Sequence, residues 1–395
     1  MCGIFALLND NNIKTDIINN EFLKGQGRGP EFSKLDTSYI KMTLGFHRLA
    51  INGLNEASNQ PLIINDIVLI CNGEIYNYKE LYKTMGIEPK TGSDCEVIIH
   101  LFLKYGIEQT LTMLDGVFAF ILFDNRVSED MNNKIYVARD PIGVRPLYYL
   151  KKSILDEKEN NGYDSIYGFA SELKCLEYFK NISANNYSIE QFKPGSYSIY
   201  NLSNKVLSSW KPIKENIVYF VPSFSYISSI EDEKNISNDS IYKNINYYLS
   251  SAVEKRCLTT ERPIACLLSG GLDSSLIAAL VSKYYKKNDI HKVLETYSIG
   301  LEGSEDLKYA RIVANYIGSK HNEIVVTEQD MFEAIPEVIE KTETYDTTSV
   351  RASIGNYLLG KYIAAHSDAK VIFNGDGSDE LFGCLLYTSP SPRDS

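Results

Sequence analysis

The residues Ile-Ala-Cys-Leu-Leu-Ser-Gly-Gly-Leu-Asp-Ser-Ser at positions 264–275 predict the fold of the second half of this chain. An apolar run ends in a Gly-rich turn, and the apolar residues that follow the turn recur at helical spacing. The same alternation of apolar runs and helical segments continues through positions 295–299, 307–317 and 371–374. This alternation predicts a parallel, doubly wound sheet, in which ligands bind at the carboxyl ends of the strands.

The first half of the chain has a different pattern. Short β-rich runs at 67–71, 117–123 and 135–138 are bounded by Gly, Asp or Asn. A helix is expected to begin at Ser93-Asp94 and to end at Gly106. We therefore expect three parts, which are an α+β domain at 2–210, a polar linker at 211–239 and an α/β doubly wound parallel-sheet domain at 240–383.

Length and composition narrow the class of protein. The 395 residues, 44% hydrophobic and 23% charged, are enough for two folded domains. The net charge of −11 argues against a large nucleic-acid-binding surface. The sequence contains no apolar run of about 18 residues, which is the length that a membrane span needs, so a membrane span is not expected. The sequence leaves open whether the chain forms a homodimer.

Cysteine usage and the chain start bear on the compartment. The seven cysteines are irregularly spaced and include no C-x-x-C pair, so neither a zinc site nor a redox pair is indicated. The start of the chain has no basic segment and no cleavage-site pattern of a secretory signal. We therefore expect a reducing, cytoplasmic location.

Cys2 is the candidate nucleophile. Removal of Met1 would leave a cysteine that carries both a thiol and a free α-amine. An amine with an unperturbed pKa near 8 can take the thiol proton, so nucleophile and base would be one residue. The alternative for a cysteine considered alone is an inert thiol in an N-terminal strand.

Three further motifs favour the nucleophile. Arg48 offers a planar fork that can hold an α-carboxylate, although a surface ion pair is the alternative. Asn72 and Gly73 follow a strand and could cradle an oxyanion with a side-chain amide and a backbone N–H. Asp94 at a helix start could receive an α-ammonium group, or could be a plain N-cap.

Together these motifs resemble the class II, or N-terminal nucleophile, glutamine amidotransferase domain. The resemblance extends to Asp-Gly-Val-Phe-Ala-Phe at 115–120, to the Arg-Asp-Pro-Ile-Gly-Val-Arg-Pro-Leu-Tyr-Tyr segment at 139–149 and to Ala-Ser-Glu at 170–172. It implies a four-layer αββα sandwich in which Cys2 attacks the side-chain amide of glutamine, releases ammonia and leaves a thioester that water hydrolyses to glutamate. It implies Asn72 and Gly73 as the oxyanion hole. The glutamine-binding residues that it implies are Arg48, Leu49, Ile51, Asn72, Gly73, Glu74 and Asp94.

The loop in the opening stretch is the second candidate site. Its glycines let the backbone approach phosphate, and successive N–H groups with the following helix N-terminus attract it. Hydroxyl donors are available from Ser269, Ser274 and Ser275, and Asp273 could bind Mg²⁺. No G-x-x-x-x-G-K-[ST] motif is present, so this is not a Walker A loop. The alternative is a Gly-Ser turn that caps a helix.

This loop resembles the Ser-Gly-Gly-x-Asp-Ser signature of the PP-loop ATP pyrophosphatases. The segments at 297–301, 306–308, 343–346, 350–353 and 375–383 resemble the asparagine synthetase family. The resemblance implies that aspartate is adenylated by ATP to β-aspartyl-AMP, which ammonia then attacks. It implies Mg²⁺ at Asp273 and Asp379, and a catalytic carboxylate at Asp376, where many relatives carry Glu. The ATP-binding residues expected here are Leu267, Ser269, Gly270, Gly271, Asp273, Ser274, Ser275, Ile299, Asn374 and Gly375.

The end of the sequence departs from the family pattern. After Gly383 the family continues into a helical region with a phosphate-binding Lys, and nothing here matches it. The polar, Pro-rich residues 384–395 are either a natural disordered end or a cloning scar, and we favour the scar.

Three functional hypotheses remain from the sequence. They are an asparagine synthetase, a glutaminase with a non-catalytic nucleotide-binding half, and a non-enzymatic sensor of nucleotide or glutamine. Cys2 argues against the sensor, and also against a β-lactam-forming relative, because such proteins typically lack the nucleophilic Cys.

Overall fold

The computed structural model describes residues 1–126, 133–152, 165–182, 187–202, 209–222, 237–288 and 292–382. The chain divides into two compact units, Met1–Glu231 and Asp232–Ser395, and their boundary lies outside the described residues. Within the described part, none of the helices combines the length and the apolar character needed to cross a membrane.

Unit 1 contains two antiparallel sheets of six strands each. The strands of the first sheet are β1 (Gly3–Leu8), β2 (Phe32–Tyr39), β3 (Met42–Arg48), β8 (Tyr148–Lys152), β9 (Tyr167–Ala170) and β10 (Tyr187–Gln191). Those of the second are β4 (Leu62–Ile64), β5 (Ile67–Ile75), β6 (Gly116–Asp124), β7 (Asn133–Arg139), β11 (Ser196–Leu202) and β12 (Trp210–Val218). The strand orders are β10-β8-β9-β1-β3-β2 and β12-β11-β7-β6-β5-β4.

The two sheets share a core, and β1 shows how the sequence builds it. Successive side chains of a strand point to opposite faces. Ile4 and Ala6 therefore pack toward the second sheet, where they meet Ile70 and Ile121. Phe5 lies on the outer face. Because β1 is covered on both faces, it is an uninterrupted apolar run, and this run places Cys2 at its beginning.

Helices cover the outer face of each sheet. Ile18 of α1 (Thr15–Leu23) and Phe179 of α4 (Glu177–Lys180) pack on the first sheet, while α2 (Tyr78–Met85) and α3 (Val97–Met113) pack on the second. The sequence predicted that the helix near Asp94 would end at Gly106. The backbone there is indeed non-helical, with φ 76° and ψ 176°, but helix resumes beyond it and continues to Met113.

The prediction of a mixed α and β unit with many strands is confirmed. Its assignment to the N-terminal nucleophile sandwich stays a prediction. The predicted linker at 211–239 begins too early, because residues 211–218 belong to β12, which pairs with β11 at the edge of the second sheet. An edge strand with an exposed face can be polar and can contain a proline such as Pro212, so composition alone did not reveal it. Residues 223–236 of the linker lie outside the described residues.

Unit 2 is built on a four-stranded parallel sheet with the order β15-β14-β13-β16. Its strands are β13 (Ile264–Leu267), β14 (Glu295–Gly300), β15 (Lys320–Val325) and β16 (Val371–Phe373). Its helices are α5 (Asn238–Leu258), α6 (Leu272–Asn288), α7 (Glu305–Ile317), α8 (Glu328–Thr342), α9 (Thr347–His366) and α10 (Ser378–Phe382). The prediction of a parallel sheet is confirmed, whereas the predicted tail at 384–395 lies outside the described residues.

Helices cover both faces of this sheet. Successive side chains of β13 point to opposite faces and are apolar on both, so both faces need to be covered. Cys266 packs with Val281 of α6 and Ala310 of α7, and Ala265 packs with Leu359 of α9 on the other face. Helical spacing in the sequence predicts one apolar face for α7, and that face is buried throughout. Its residues are Leu307, Ala310, Ala314 and Ile317.

Helical spacing predicts an apolar face for α6, and this prediction is wrong in part. The face consists of Leu276, Ile277, Leu280, Val281 and Tyr284. Leu276 is 44% exposed, and the buried residues are Ala278, Val281 and Ser282. Small side chains let α6 lie close to the sheet, which rotates the contact face away from the larger apolar residues.

Strand order fixes where a ligand can bind in unit 2. The chain adds β14 and β15 on one side of β13 and then β16 on the other side. The loops that follow β13 and β16 therefore emerge side by side at the switch point of the sheet. These are the two loops predicted to bind nucleotide.

Candidate functional sites

A cavity in unit 1 brings together every residue predicted for the glutamine site. Around its wall lie Met1, Cys2, Phe46, Arg48, Leu49, Ala50, Ile51, Asn52, Ser58, Gln60, Cys71, Asn72, Gly73, Glu74, Ser93, Asp94, Cys95 and Arg145. We refer to it as the unit 1 cavity. The roles assigned to these residues stay predictions, but their shared location is a property of the fold.

Cys2 lies at the start of β1 with its thiol directed at the cavity wall. Its Sγ donates to the carbonyl oxygen of Leu49 at 3.5 Å. Burial raises the pKa of the Cys2 thiol, so the thiol is protonated at neutral pH and needs a base before it can attack. Burial likewise lowers the pKa of the Met1 α-amine to about 6, so an amine in this environment is uncharged and can accept a proton.

One edge of β5 supplies a backbone donor to the cavity. The amide of Cys71 donates to Gln60 Oε1 at 2.6 Å, and the amide of Ile75 donates to Asp94 Oδ2 at 2.7 Å. Alternate residues of a strand direct their N–H groups to the same edge. The N–H of Gly73 therefore points to this edge between two amides that side chains already occupy, and Gly73 itself lines the cavity.

A buried amide side chain adds a donor. The Nδ2 atom of Asn72 has no hydrogen-bond partner among the described residues, whereas the Asn52 side chain interacts with Asp94. Asn72 is 1% exposed. An unpaired buried donor costs about 1–3 kcal/mol, so the Asn72 amide is suited to receive an acceptor from a ligand. The Asn72 donor and the Gly73 N–H come from adjacent residues, as an oxyanion hole requires.

Arg48 is engaged differently from the sequence expectation. Its Nη1 donates to the Asn55 carbonyl at 3.1 Å and to Asn59 Oδ1 at 2.6 Å. Its Nη2 donates to the carbonyls of Asn52 at 3.3 Å and of Gly53. The alternative of a surface ion pair is wrong, because Arg48 is buried and organises the loop after β3. Use of both terminal nitrogens for a substrate carboxylate would require this loop to release them.

Asp94 is not a plain N-cap. Its Oδ2 accepts the N–H of Ile75 across the cavity edge, so the capping alternative is wrong. Burial, opposed by that hydrogen bond and reinforced by the charge of Glu74, raises the pKa of Asp94 to about 6. Asp94 is therefore ionised at neutral pH and can attract a cationic group.

Three residues that the sequence reasoning did not select contribute to this site. They are Arg28, whose Nε donates to the Cys2 carbonyl at 2.9 Å, and Asn52 and Arg145, which line the cavity. Arg145 lay within the segment at 139–149 that carried the resemblance, so a signal for it existed. Arg28 and Asn52 had no signal, because neither belongs to a motif that the spacing made visible.

In unit 2 the loop between β13 and α6 closes on itself through its own hydroxyl groups. Ser269 Oγ and Ser274 Oγ lie 2.9 Å apart, and the amides of Ser269 and Gly271 donate to these hydroxyls at 3.2 and 3.3 Å. Gly270 has φ 83°, and a Cβ there would meet the backbone of Ala310 at 2.5 Å, so only glycine fits. The loop is more than a helix cap, because α7 packs against it as well.

The loop after β16 lies directly against this first loop. A Cβ on Gly375 would come within 2.7 Å of the Ser274 nitrogen and 3.0 Å of the Asp273 Cβ. Beside it, Asn374 Nδ2 donates to Asp376 Oδ2 at 2.6 Å, and both side chains are exposed. The structure thus brings the two predicted nucleotide loops together at the switch point.

The apolar part of the predicted nucleotide site also converges. Leu267 and Ile299 belong to neighbouring parallel strands and contribute to the same apolar cluster beside α9. Both are only partly buried, so they leave apolar surface at the carboxyl ends of the strands. An adenine ring could pack on this surface.

The assignment of Asp273 and Asp379 as Mg²⁺ ligands stays a prediction. Across the described residues, no group of three or more His, Cys, Asp or Glu side chains could hold a metal ion. Asp273 lies in the first turn of α6 and Asp379 in α10. Mg²⁺ is commonly bound by one or two carboxylates together with substrate phosphates, and this pair is compatible with that arrangement.

Comparison with known proteins agrees with this two-site organisation. Residues 1–213 match the family model described as a glutamine amidotransferase domain, and residues 244–395 match the model described as asparagine synthase. Among solved structures, an NH3-dependent NAD synthetase from Campylobacter jejuni is 18% identical and covers 38% of this chain and 61% of its own, at a TM-score of 0.27. That score is too low to bear on the fold.

Curated relatives extend the agreement to the whole chain. The asparagine synthetase (glutamine-hydrolyzing) of Cricetulus griseus is 39% identical over 403 residues, which cover 100% of this chain and 68% of the relative. The Homo sapiens protein of the same name is 38% identical over the same shares of both chains. The resemblance read from the sequence motifs is therefore confirmed. The chain belongs to the family of glutamine-hydrolysing asparagine synthetases.

Proposed function

We propose that this chain synthesises asparagine from aspartate with ATP, and that it takes the nitrogen from glutamine. The observation that carries the proposal is the unit 1 cavity. There the Cys2 thiol lies in the same cavity as two adjacent donors, which are the Gly73 N–H and the Asn72 Nδ2, and the Asn72 Nδ2 has no hydrogen-bond partner among the described residues. The family of the chain supports the pairing of this site with an ATP site in unit 2.

The first half-reaction takes place in unit 1. The Cys2 thiol gives its proton to the α-amine at the chain start, and Sγ attacks the side-chain amide carbon of glutamine. The Asn72 Nδ2 and Gly73 N–H stabilise the negative oxygen. The C–N bond then breaks, the amine returns the proton to the departing nitrogen, and ammonia leaves a thioester. Water hydrolyses the thioester to glutamate and restores the thiol.

The fold of unit 1 supports this assignment. Helices cover the outer faces of two antiparallel sheets that share a core, as expected of the αββα sandwich of N-terminal nucleophile enzymes. In this fold the nucleophile stands at the beginning of a strand, and Cys2 directly precedes β1. Met1 must be removed for Cys2 to supply its own amine.

The second half-reaction takes place in unit 2. The β-carboxylate of aspartate attacks the α-phosphorus of ATP, the bond to the β-phosphate oxygen breaks, and pyrophosphate leaves. The glycine loop after β13 holds the phosphates through backbone N–H groups and the α6 N-terminus. Ammonia then attacks the carbonyl of β-aspartyl-AMP, and AMP leaves. Asp376, exposed beside the glycine loop, takes the proton from the attacking nitrogen.

Mg²⁺ enters this scheme with the nucleotide. Asp273 and Asp379 are the residues that would hold it. When bound, it would offset the charge on the pyrophosphate leaving group.

A product assay tests the proposal. Purified chain would be incubated with glutamine, aspartate and MgATP, and glutamate, asparagine, AMP and pyrophosphate would be quantified together. We expect asparagine and AMP to form in step with glutamate. Cys2→Ala should abolish all glutamine-dependent product but retain asparagine formation from ammonium chloride, which separates the two sites.

Two outcomes would contradict parts of the proposal. Glutamate formation without asparagine or AMP would restrict the activity to unit 1. Asparagine formation from glutamine by Cys2→Ala would exclude Cys2 as the nucleophile. Asp376→Asn should retain glutamate release and lose asparagine formation, and full asparagine formation by this variant would remove Asp376 from the mechanism.

A further inference from the structure

Arg145 enters the unit 1 cavity from a turn that one carboxylate organises. Asp140 is 1% exposed, and its Oδ1 accepts the N–H groups of Ile142, Gly143 and Val144 at 3.1, 2.6 and 3.0 Å. Its Oδ2 accepts the N–H of Arg145 at 3.0 Å. These bonds fix the backbone of the turn and with it the Cα of Arg145, whose side chain lines the unit 1 cavity.

The head group of Arg145 is only partly engaged. Its Nη2 donates to Glu74 Oε1 at 3.1 Å, and the two side chains are 11% and 19% exposed. Its Nε is buried and has no hydrogen-bond partner among the described residues. A buried guanidinium would be expected to use its donors fully, because each unpaired one carries a desolvation cost. An unpaired donor of this kind is expected in a binding site where the ligand supplies the missing acceptor.

Glu74 stands beside a second carboxylate. Asp94 lines the same cavity, and the charge of Glu74 adds to the effect of burial in raising the Asp94 pKa. The guanidinium of Arg145 fixes the direction in which the Glu74 carboxylate faces, because a charge-assisted hydrogen bond is both strong and directional.

We infer that Arg145 is a positioning residue for glutamine, which orients the Glu74 carboxylate so that Glu74 and Asp94 together receive the α-ammonium group of the substrate. The inference rests on the proposed function, because it needs glutamine in this cavity. It assigns Arg145 an action on substrate binding through Glu74. The turn held by Asp140 then contributes to glutamine binding as well as to local folding, because it holds the backbone of Arg145.

A double-mutant cycle in the full chain tests the inference. Glutamate release would be measured for wild type, Arg145→Met, Glu74→Gln and the double variant. We expect Arg145→Met to raise KM for glutamine about tenfold, as the loss of a charge-assisted hydrogen bond implies, while kcat changes less than about threefold. In the Glu74→Gln background the same change should alter kcat/KM by less than about twofold, because its partner is already lost.

Controls separate positioning from folding. Arg126→Met removes a surface arginine that pairs with Asp124 at 2.8 Å and does not line the cavity, and it should leave KM unchanged. Urea unfolding followed through the fluorescence of Trp210, which is buried in the core of unit 1, should have the wild-type midpoint in Arg145→Met if the unit is intact. Should Arg145→Met fail to fold, Arg145→Gln also removes the charge while keeping a polar side chain, and the same KM increase is expected.

The outcomes are distinct. Equal losses of kcat/KM in both backgrounds, or a fall in kcat at unchanged KM, would overturn the action through Glu74. An active wild type whose KM is unaffected in both arginine variants would refute the inference while leaving the proposed function standing. A folded wild type that releases no glutamate from glutamine would refute the proposed function, and the inference would fall with it.

Discussion

Arg28 donates a hydrogen bond from its Nε to the carbonyl oxygen of Cys2 at 2.9 Å, so a cation from the turn after α1 holds the backbone of the proposed nucleophile. Arg28 also lies 3.8 Å from Glu172, which follows Ser171. The Ile4 N–H donates to Ser171 Oγ, and the Ser171 N–H donates to the Ile4 carbonyl oxygen, both at 3.0 Å. The start of β1 is thus fixed from two sides before any substrate binds.

We expect Arg28→Met to lower kcat for glutamine hydrolysis about tenfold with a smaller change in KM, because small displacements of a nucleophile are costly. Steady-state glutamate release checks this, with Arg126→Met as the matched surface control. A kcat within twofold of wild type would show that the strand holds Cys2 without Arg28. A parallel loss in thermal stability would instead indicate a structural role.

The pKa of Asp94 predicts a pH dependence of glutamine binding. Burial raises it from 3.8 to about 6, so Asp94 is ionised above that pH and gains a proton as pH falls through it. Loss of the negative charge removes an attraction for the α-ammonium group, so KM for glutamine should rise as pH falls through about 6. Measurement of KM between about pH 5 and 8 checks this.

Asp94→Asn supplies the comparison for that experiment. It should have a high KM at pH 8 and show no inflection near pH 6. The proposed base is the α-amine of Cys2 after Met1 is removed, and a base affects kcat, so the two groups are distinguished by which constant changes. A wild-type KM that is constant over the range would argue against Asp94 as the ammonium partner.

Gln60 replaces a missing strand partner, and its loss should destabilise unit 1. Its side chain accepts from the Cys71 N–H at 2.6 Å and donates to the Cys71 carbonyl at 3.2 Å, both in buried surroundings. Gln60→Ala would leave both groups unpaired, which should lower the free energy of unfolding by about 2–4 kcal/mol. Trp210, the single tryptophan and 1% exposed in the core between the sheets, reports on this unit by fluorescence.

Urea unfolding followed through Trp210 gives the measurement, and Gln191→Ala gives the control. Gln191 is exposed at the end of β10, so its truncation should change stability by less than about 0.5 kcal/mol. Equal effects of the two substitutions would mean that water replaces Gln60 at the strand edge. That result would also weaken the argument that Gly73 lies at an edge kept free for substrate.

Local patterns predicted the elements of this fold well where one physical signal dominated. The strand, loop and helix around Ser269 and the buried face of α7 follow from hydrophobic spacing. The second half of α3 was missed because Gly106 ends a helical pattern locally, while the packing beyond it favours helix again. The strand β12 was missed because an edge strand can be polar when the neighbouring strand supplies its hydrogen bonds.

The site was predictable as a set of residues but not as a set of contacts. Cys2, Asn72, Gly73 and Asp94 occupy one cavity as the motifs implied. The pairing of Arg145 with Glu74 spans 71 positions, and no spacing rule reaches that far. Arg48 was predicted to line the site, and it does. Its hydrogen-bond partners were not predictable, because they depend on how the loop at 52–59 folds back.

Contact between the two loops of unit 2 leads to the last prediction. A Cβ on Gly375 would lie 2.7 Å from the Ser274 nitrogen and 2.9 Å from the Asp273 carbonyl carbon, and both are backbone atoms that cannot rotate away. Gly375→Ala must therefore push the loops apart. We expect aspartate-dependent pyrophosphate release to fall by about tenfold or more, because the phosphate donors come from the displaced loop.

Gly360→Ala is the matched control in the same unit. Gly360 lies in α9, where a Cβ would meet nothing within 4 Å, so alanine should be tolerated and should favour the helix by about 0.5–1 kcal/mol. Glutamate release should be unchanged in both variants, because neither residue lies in unit 1. If Gly375→Ala releases pyrophosphate at the Gly360→Ala rate, the spacing between the loops does not determine phosphate binding, and the ATP site must be sought in the glycine loop alone.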